Sequence, residues 1–329
     1  MASGGIPLYN PTVPVDTTGE YEYRPPGPND KRGPCPGLNA LANNGYIDRS
    51  GITNSAQFGV ACSIIGIGAD ACTVLIALAA LVGNGPVFSI GKGSPDTGLG
   101  VGKSGIENGD TSYKSSDCAL NPTPDGGCDD YSFNDTAWST TYNAAQLNDN
   151  IYNISTFIPA AKARYDESRA NNPDFFFGPM QFIFHYVTPA LFDLVFSNGT
   201  DSMPTEEIEN TWIGITKDEN GQRLGIPGGG RIPDNWYPRK IPVNLIDGAK
   251  YILGLYLPHP VEFGANVDGT FVPDPFQLGT SPTTKDILCL IYNTICGAAT
   301  ATTLSMIAAD LDLIFVSGSI GCTPYPPKA

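Results

Sequence analysis

"KRGPCPGLNALANNGYIDRSG", residues 31–51, traps a cysteine between two prolines and follows it with an asparagine-rich run of helical composition. Each proline fixes its own φ, and Pro36 also biases Cys35 away from the α region, so the thiol has a single aim. Pro36 suits the first position of a helix running through Leu38–Asn44 and closing at Gly45. Cys35 then stands at that helix's N-terminus, where the dipole and the open N–H groups favour a thiolate. A thiolate aimed rigidly from a helix start is suited to be an axial metal ligand.

Around this stretch lies a chain of 329 residues, long enough for a large core and for one domain or two. Its 38 Gly and 29 Pro predict long ordered loops between regular elements. The net charge is −15, from 33 acidic and 18 basic residues, and no Lys/Arg run occurs. That balance excludes nucleic acid as a partner and suits a secreted protein.

Eight cysteines are present: Cys35, Cys62, Cys72, Cys118, Cys128, Cys289, Cys296 and Cys322. With Cys35 set aside as a ligand, the rest allow at most three disulfides and one further thiol. Cys118 and Cys128 bracket a turn-rich "ALNPTPDGG" and are placed to close a small loop. Cys322 is placed to tie the C-terminal segment to Cys289 or Cys296. Cys62 and Cys72 share one apolar run and are expected to be reduced and buried unless that run is broken. The sequons at Asn134, Asn153 and Asn198 fit an extracellular route with glycosylation, although "MASGGIPLYNPT" carries no apolar signal segment.

Residues 60–83, "VACSIIGIGADACTVLIALAALVG", have the length of a membrane span. Asp70 at its middle would cost about 2.5–3.5 kcal/mol in an isolated spanning helix. With Gly66 and Gly68 it points to two shorter buried helices, and no membrane partner is expected. Residues 1–33 are expected to be extended and 317–329 to form a tail. Asn143–Arg169 reads as mostly helical with a break or restart at Pro159, Pro179–Phe196 as an apolar helix, and 200–245 as an acidic helix plus a Pro-rich loop. Residues 283–316 read as a further apolar helical region. The expected fold is mainly α, a single helical domain over 1–329 with long loops.

Several chemistries are excluded. "GLGVGKSG" lacks the first glycine of a phosphate loop, since Thr97 stands there, and no strand leads into it. Two histidines, His185 and His259, do not make a zinc-hydrolase constellation. "SGSIG" fails the spacing of a nucleophile elbow.

"PCPGLNALANNGYIDRSG" resembles the proximal motif of the fungal haem-thiolate peroxidases, the chloroperoxidase and unspecific peroxygenase family. The resemblance implies haem b with Cys35 as axial ligand to the iron, the thiolate favouring O–O cleavage. "IENGDTSYKSSD" resembles that family's Glu-Gly-Asp-x-Ser cation loop, which holds Mg²⁺ against a haem propionate. Asn108, Gly109, Asp110 and Ser112 match it, with Asn108 in place of the family's Glu and Glu107 one position earlier. A neutral amide oxygen ligates Mg²⁺ more weakly than a carboxylate, and a plain turn with Asx-type hydrogen bonds is the competing reading.

"NNPDFFFGPMQFIFHYVTPALF" resembles the family's distal segment at Asn172, Pro173, Phe175, Phe177 and Tyr186. The family's proton-moving Arg and Glu are replaced by Gln181 and Thr188. Spacing i, i+4, i+7 puts Gln181, His185 and Thr188 on one helical face. His185 is either the replacement acid–base group, with Gln181 orienting it or the peroxide, or a buried core histidine among phenylalanines.

The implied function is a secreted peroxygenase or peroxidase using hydrogen peroxide on small apolar or aromatic organic molecules. Two alternatives stand beside it. One is redox-neutral biosynthetic chemistry on the same haem, and the other is a catalytically silent secreted haem-binding protein.

Overall fold

The computed structural model describes residues 9–83, 85–91, 129, 132–199 and 203–324. Glu107, Asn108, Gly109, Asp110 and Ser112, and the Cys118/Cys128 pair, lie outside the described residues.

A 3₁₀ turn at Gly19–Tyr21 precedes α1 (Pro36–Asn43), β1 (Ile52–Asn54), α2 (Ser55–Ile64), α3 (Ala69–Gly83) and β2 (Val87–Ser89). Next come α4 (Asp135–Gln146), α5 (Ile154–Asn171), β3 (Phe176–Phe177), α6 (Pro179–Phe196), α7 (Glu206–Ile213), β4 (Ile215–Lys217) and β5 (Arg223–Gly225). After these follow α8 (Leu245–Tyr256), β6 (Gly264–Val267), β7 (Thr270–Pro273), α9 (Thr284–Ala298) and α10 (Ala301–Phe315). The fold is mainly α, as expected. Among the described residues the strands pair into small antiparallel sheets, β1-β2, β4-β5 and β3-β6-β7.

Helix starts follow local capping chemistry. Pro36 opens α1 behind Cys35. Asn54 Oδ1 accepts from Ala56 and Gln57 N–H at the start of α2. Thr283 and Asp286 form a reciprocal capping box on α9. These devices satisfy N–H groups that a helix leaves open at its first turn.

The apolar run does split into two helices, and with that break the condition for reduced Cys62 and Cys72 lapses. Gly66 (φ 77°) turns the chain between α2 and α3. The turn brings the two cysteines to a Cα–Cα separation of 6.0 Å, and they form a disulfide. Asp70, the residue that argued against a membrane span, accepts from Ala71 N at 2.8 Å and from Leu245 N at 3.1 Å. No described helix is long and apolar enough to cross a membrane.

Pro159 also departs from expectation. The break falls at residues 147–153, where Asp149 and Asn150 take positive φ and Asn148 Nδ2 donates to the Ile151 carbonyl and to Asn153 Oδ1. Pro159 lies inside the second turn of α5, where it forfeits only the bond to the Ser155 carbonyl. At the C-terminal end, Cys322 pairs with Cys289. Cys296 stays a buried thiol, pushed up to about 11 by burial and by Asp312.

The chain gathers into two compact units, one of residues 1–107 and 194–245, the other of 108–193 and 246–329. The first is centred on α1 and on buried Phe88, Trp212 and Trp236. The second is centred on Phe157, Phe182, Tyr186, Phe192 and Tyr256.

Candidate functional site

In the first unit, Cys35 is the N-cap of α1, with extended φ and ψ of −82° and 107°. Its turn is fixed by Asn39, one helical turn on. Gly33 N donates to Asn39 Oδ1 at 3.1 Å, and Asn39 Nδ2 returns a bond to the Gly33 carbonyl at 2.8 Å. The incoming strand is packed to backbone contact: a Cβ on residue 33 would fall 2.1 Å from the Ile90 carbonyl oxygen, so only glycine fits.

The asparagines of α1 explain its composition. Asn39, Asn43 and Asn44 are all buried, in a helix where leucine would be the ordinary choice. Asn43 Oδ1 accepts from Arg32 Nε (3.0 Å) and Nη2 (2.7 Å), while its Nδ2 donates to the Gly228 and Gly230 carbonyls at 2.7 and 2.8 Å. Asn44 Nδ2 donates to the Tyr21 carbonyl, and its Oδ1 accepts from Ile232 N. These amides tie α1 to the Gly19–Tyr21 turn and to the irregular segments at Arg32 and at 228–232. Arg32, whose pKa burial lowers, adds bonds to the Lys31 and Arg49 carbonyls. Gly228, at φ 63°, passes so close that a Cβ there would lie 2.5 Å from the Arg32 side chain.

The thiol itself is half-buried. Beside it Gly37 has no side chain; a Cβ there would sit 4.0 Å from Cys35 Sγ and 3.5 Å from the Phe196 ring. A partly open sulfur with a bare flank at a helix N-terminus fits the axial position of a flat macrocycle.

In the second unit, α6 carries the other candidates. Gln181 Oε1 accepts from Gly178 N at 3.3 Å, so this side chain caps its own helix. The Thr188 hydroxyl donates to the Phe184 carbonyl at 2.9 Å. Both are therefore engaged with backbone rather than with one another. His185 is 1 % exposed, with its ring edge-on to Phe177 (5.4 Å) and to Tyr186 (4.7 Å). Pairing of β3 with β6 turns Phe177 inward beside it and leaves Phe176 outside. Burial lowers the His185 pKa to about 3, and the Arg164 charge acts in the same direction, while a bond to the Ala161 carbonyl opposes them.

The folded state thus holds His185 neutral. Between about pH 6.5 and 3 the unfolded chain binds a proton that the folded chain does not, so stability is full above this window and lost as pH falls through it. Folding free energy at pH 5 should be lower than at pH 7 by about 2 kcal/mol from this group alone. His185→Gln, compared by urea unfolding at the two pH values, should lack that increment. An unchanged difference would place the acid sensitivity elsewhere.

The sequon asparagines are half-buried, and each side chain accepts a backbone bond. Asn134 Oδ1 caps α4 through Ala137 N, Asn153 Oδ1 caps α5 through Ser155 N, and Asn198 Oδ1 accepts from Tyr237 N. Among the described residues no group of three or more His, Cys, Asp or Glu side chains is arranged to hold a metal ion.

Residues 21–241 match the model of "Peroxidase, family 2". The chain belongs to this family, the fungal haem-thiolate peroxidases. Among curated relatives, an aromatic peroxidase of Fusarium equiseti is 32 % identical over 274 residues, covering 75 % of this chain and 61 % of its own. A dothistromin biosynthesis peroxidase of Dothistroma septosporum is 35 % identical over 241 residues, 70 % of this chain and 57 % of its own. An aromatic peroxygenase of Cyclocybe aegerita is 27 % identical over 195 residues, 55 % of this chain and 50 % of its own. This chain thus spans about six-tenths of the length of the first two relatives. Membership carries with it haem iron held by a cysteine.

The supports of the Cys35 site were not among the residues expected from the sequence. Arg32, Asn43, Gly228 and Gly230 contribute to it, and so does the aromatic side chain of Phe196. The one local signal was the presence of three asparagines in an apolar helix, since a buried amide needs several partners.

Proposed function

We propose that this protein is a secreted haem-thiolate peroxidase or peroxygenase that uses hydrogen peroxide to oxidise small apolar, chiefly aromatic, molecules. The observation that carries the reading is the seat of Cys35: a half-buried thiol at a helix start, with Asn39 fixing its turn and Gly37 leaving its flank bare. A haem bound there through Cys35 supplies peroxide cleavage and electron transfer. Two described disulfides, Cys62–Cys72 and Cys289–Cys322, support an oxidising compartment. The names of the Fusarium and Cyclocybe relatives support aromatic substrates.

This chain's residues would handle the proton and the pocket. Cys35, held by Pro34 and Pro36 at the start of α1, keeps its sulfur aimed. His185 is the proposed proton acceptor, taking the peroxide proton at Nε2, which is buried. Its neutral resting state leaves the ring available to accept, although burial makes it a weak base. Gln181 and Thr188 are proposed to position His185 by fixing the start and the middle of α6. Mg²⁺ at Asn108, Gly109, Asp110 and Ser112, with Glu107 nearby, and glycans on Asn134, Asn153 and Asn198 belong to the same proposal.

Stopped-flow spectroscopy of the haem-loaded protein with hydrogen peroxide tests it. Wild type should show a fast spectral change followed by turnover of a small aromatic, and His185→Ala should slow the fast phase by about 10²-fold or more. Full-speed turnover in His185→Ala would remove the histidine from the mechanism. The weak basicity of His185 also favours a second reading, redox-neutral chemistry on the same haem. A thiolate spectrum that peroxide only bleaches would select it.

A further inference from the structure

Beside Cys35 begins a run of aromatic rings that the proton chemistry does not use. Phe196, next to Gly37, is stacked on Trp212 with centroids 4.6 Å apart and planes at 4°. Trp212 meets Trp236 edge-on at 5.3 Å. Both indoles are fully buried, whereas the next residue in the chain, Tyr237, is 37 % exposed. Tyr237 is anchored by its backbone, which donates to Asn198 Oδ1 at 2.8 Å and accepts from Gly199 N at 2.8 Å.

Packing alone would account for aromatic rings in a core. It does not account for the polar atoms. Trp212 Nε1 is buried and meets no acceptor among the described residues, a penalty that phenylalanine would avoid. Trp236 Nε1 donates to the Phe196 carbonyl at 3.0 Å. The two indoles therefore differ as electron donors. With no acceptor among the described residues for its N–H proton, oxidised Trp212 stays a strongly oxidising radical cation. The carbonyl facing the Trp236 N–H stabilises positive charge on that ring, so an electron vacancy on Trp212 passes downhill to Trp236.

We infer that Trp212 and Trp236 relay single oxidising equivalents from the Cys35 side of the haem to Tyr237, where phenols too bulky to enter an interior site are oxidised at the surface. The inference rests on the peroxide reading above. Hydrogen peroxide is the oxidant and takes up two electrons and two protons to leave as two waters. For each electron, the Trp236 radical cation is restored by Tyr237, whose O–H bond breaks with the proton passing to solvent. An external phenol then returns a hydrogen atom to the Tyr237 phenoxyl, so two phenols are oxidised per peroxide.

The test is freeze-quench electron paramagnetic resonance of the haem-loaded protein after hydrogen peroxide. A tyrosyl radical is expected in wild type, a tryptophanyl radical in Tyr237→Phe, and neither in Trp212→Phe. With a phenolic dye coupled to polymer beads, Tyr237→Phe should lower the rate by about tenfold or more while a free small aromatic changes by less than about twofold. The absence of a protein radical in wild type, or equal bead rates in wild type and Tyr237→Phe, overturns the relay. Should peroxide leave the haem spectrum unmoved, the peroxide reading fails by itself. Laser oxidation of the same protein with a soluble ruthenium photo-oxidant then decides the relay: a vacancy that settles on Tyr237 through Trp236 keeps it, and an unchanged transient in Trp212→Phe ends it.

Discussion

Replacing Cys35 with serine is expected to abolish the thiolate signature of the bound haem, read as loss of the characteristic carbon monoxide difference band. The effect should be all-or-none, because a serine hydroxyl is not ionised near neutral pH and gives iron no comparable electron donation. The fold should tolerate the change. The seat is built from backbone and amide contacts, namely the Gly33–Asn39 pair and the Asn39 N–H bond to the Cys35 carbonyl at 3.1 Å, and none of these uses the sulfur. Urea midpoints of the apo forms should therefore differ by less than about 1 kcal/mol in stability. A thiolate band that survives in Cys35→Ser would assign the ligand to another cysteine. Cys296 is a poor rival, since burial and Asp312 hold its thiol protonated up to about pH 11.

How much of this was legible in the sequence depends on the range of the cause. The Cys35 seat was legible because prolines, helix start and helix end act within a few residues of one another. The split of the apolar run was legible for the same reason, from Gly66, Gly68 and Asp70. The Cys62–Cys72 bond was not, because it depends on how the turn between α2 and α3 folds back. Pro159 misled because a proline within the second helical turn removes one bond without ending the helix. His185 could be read two ways from spacing alone. Its burial against Phe177 depends on β3 pairing with β6, about ninety residues on in the chain. The carbonyls that Asn43 binds are 185 and 187 residues away, so no local pattern could have named them.

Asn43 carries the second large expectation. Asn43→Leu keeps the branched shape and raises helix propensity, but it leaves the Gly228 and Gly230 carbonyls without their donor and removes the shared acceptor of Arg32 Nε and Nη2. Hydrogen bonds to charged groups contribute more than neutral ones, and a buried group left unsatisfied bears its full desolvation penalty. A loss of roughly 3–5 kcal/mol follows. Urea unfolding reads the loss directly. Haem retention should weaken with it, because Asn43 lies on the helix that begins at Cys35. A loss below about 1 kcal/mol would mean that Arg32 and the two carbonyls find other partners, and that the amide is replaceable. Asn43→Asp separates the two halves of the network. A carboxylate keeps, and strengthens, the acceptor for buried Arg32, yet it turns oxygen toward two carbonyl oxygens where a donor stood. If Asp is nearly as damaging as Leu, the tie to the Gly228–Gly230 loop is what holds the helix. If Asp is much milder, the helix is held through Arg32, and the glycine loop is a passenger that packs against a site already formed.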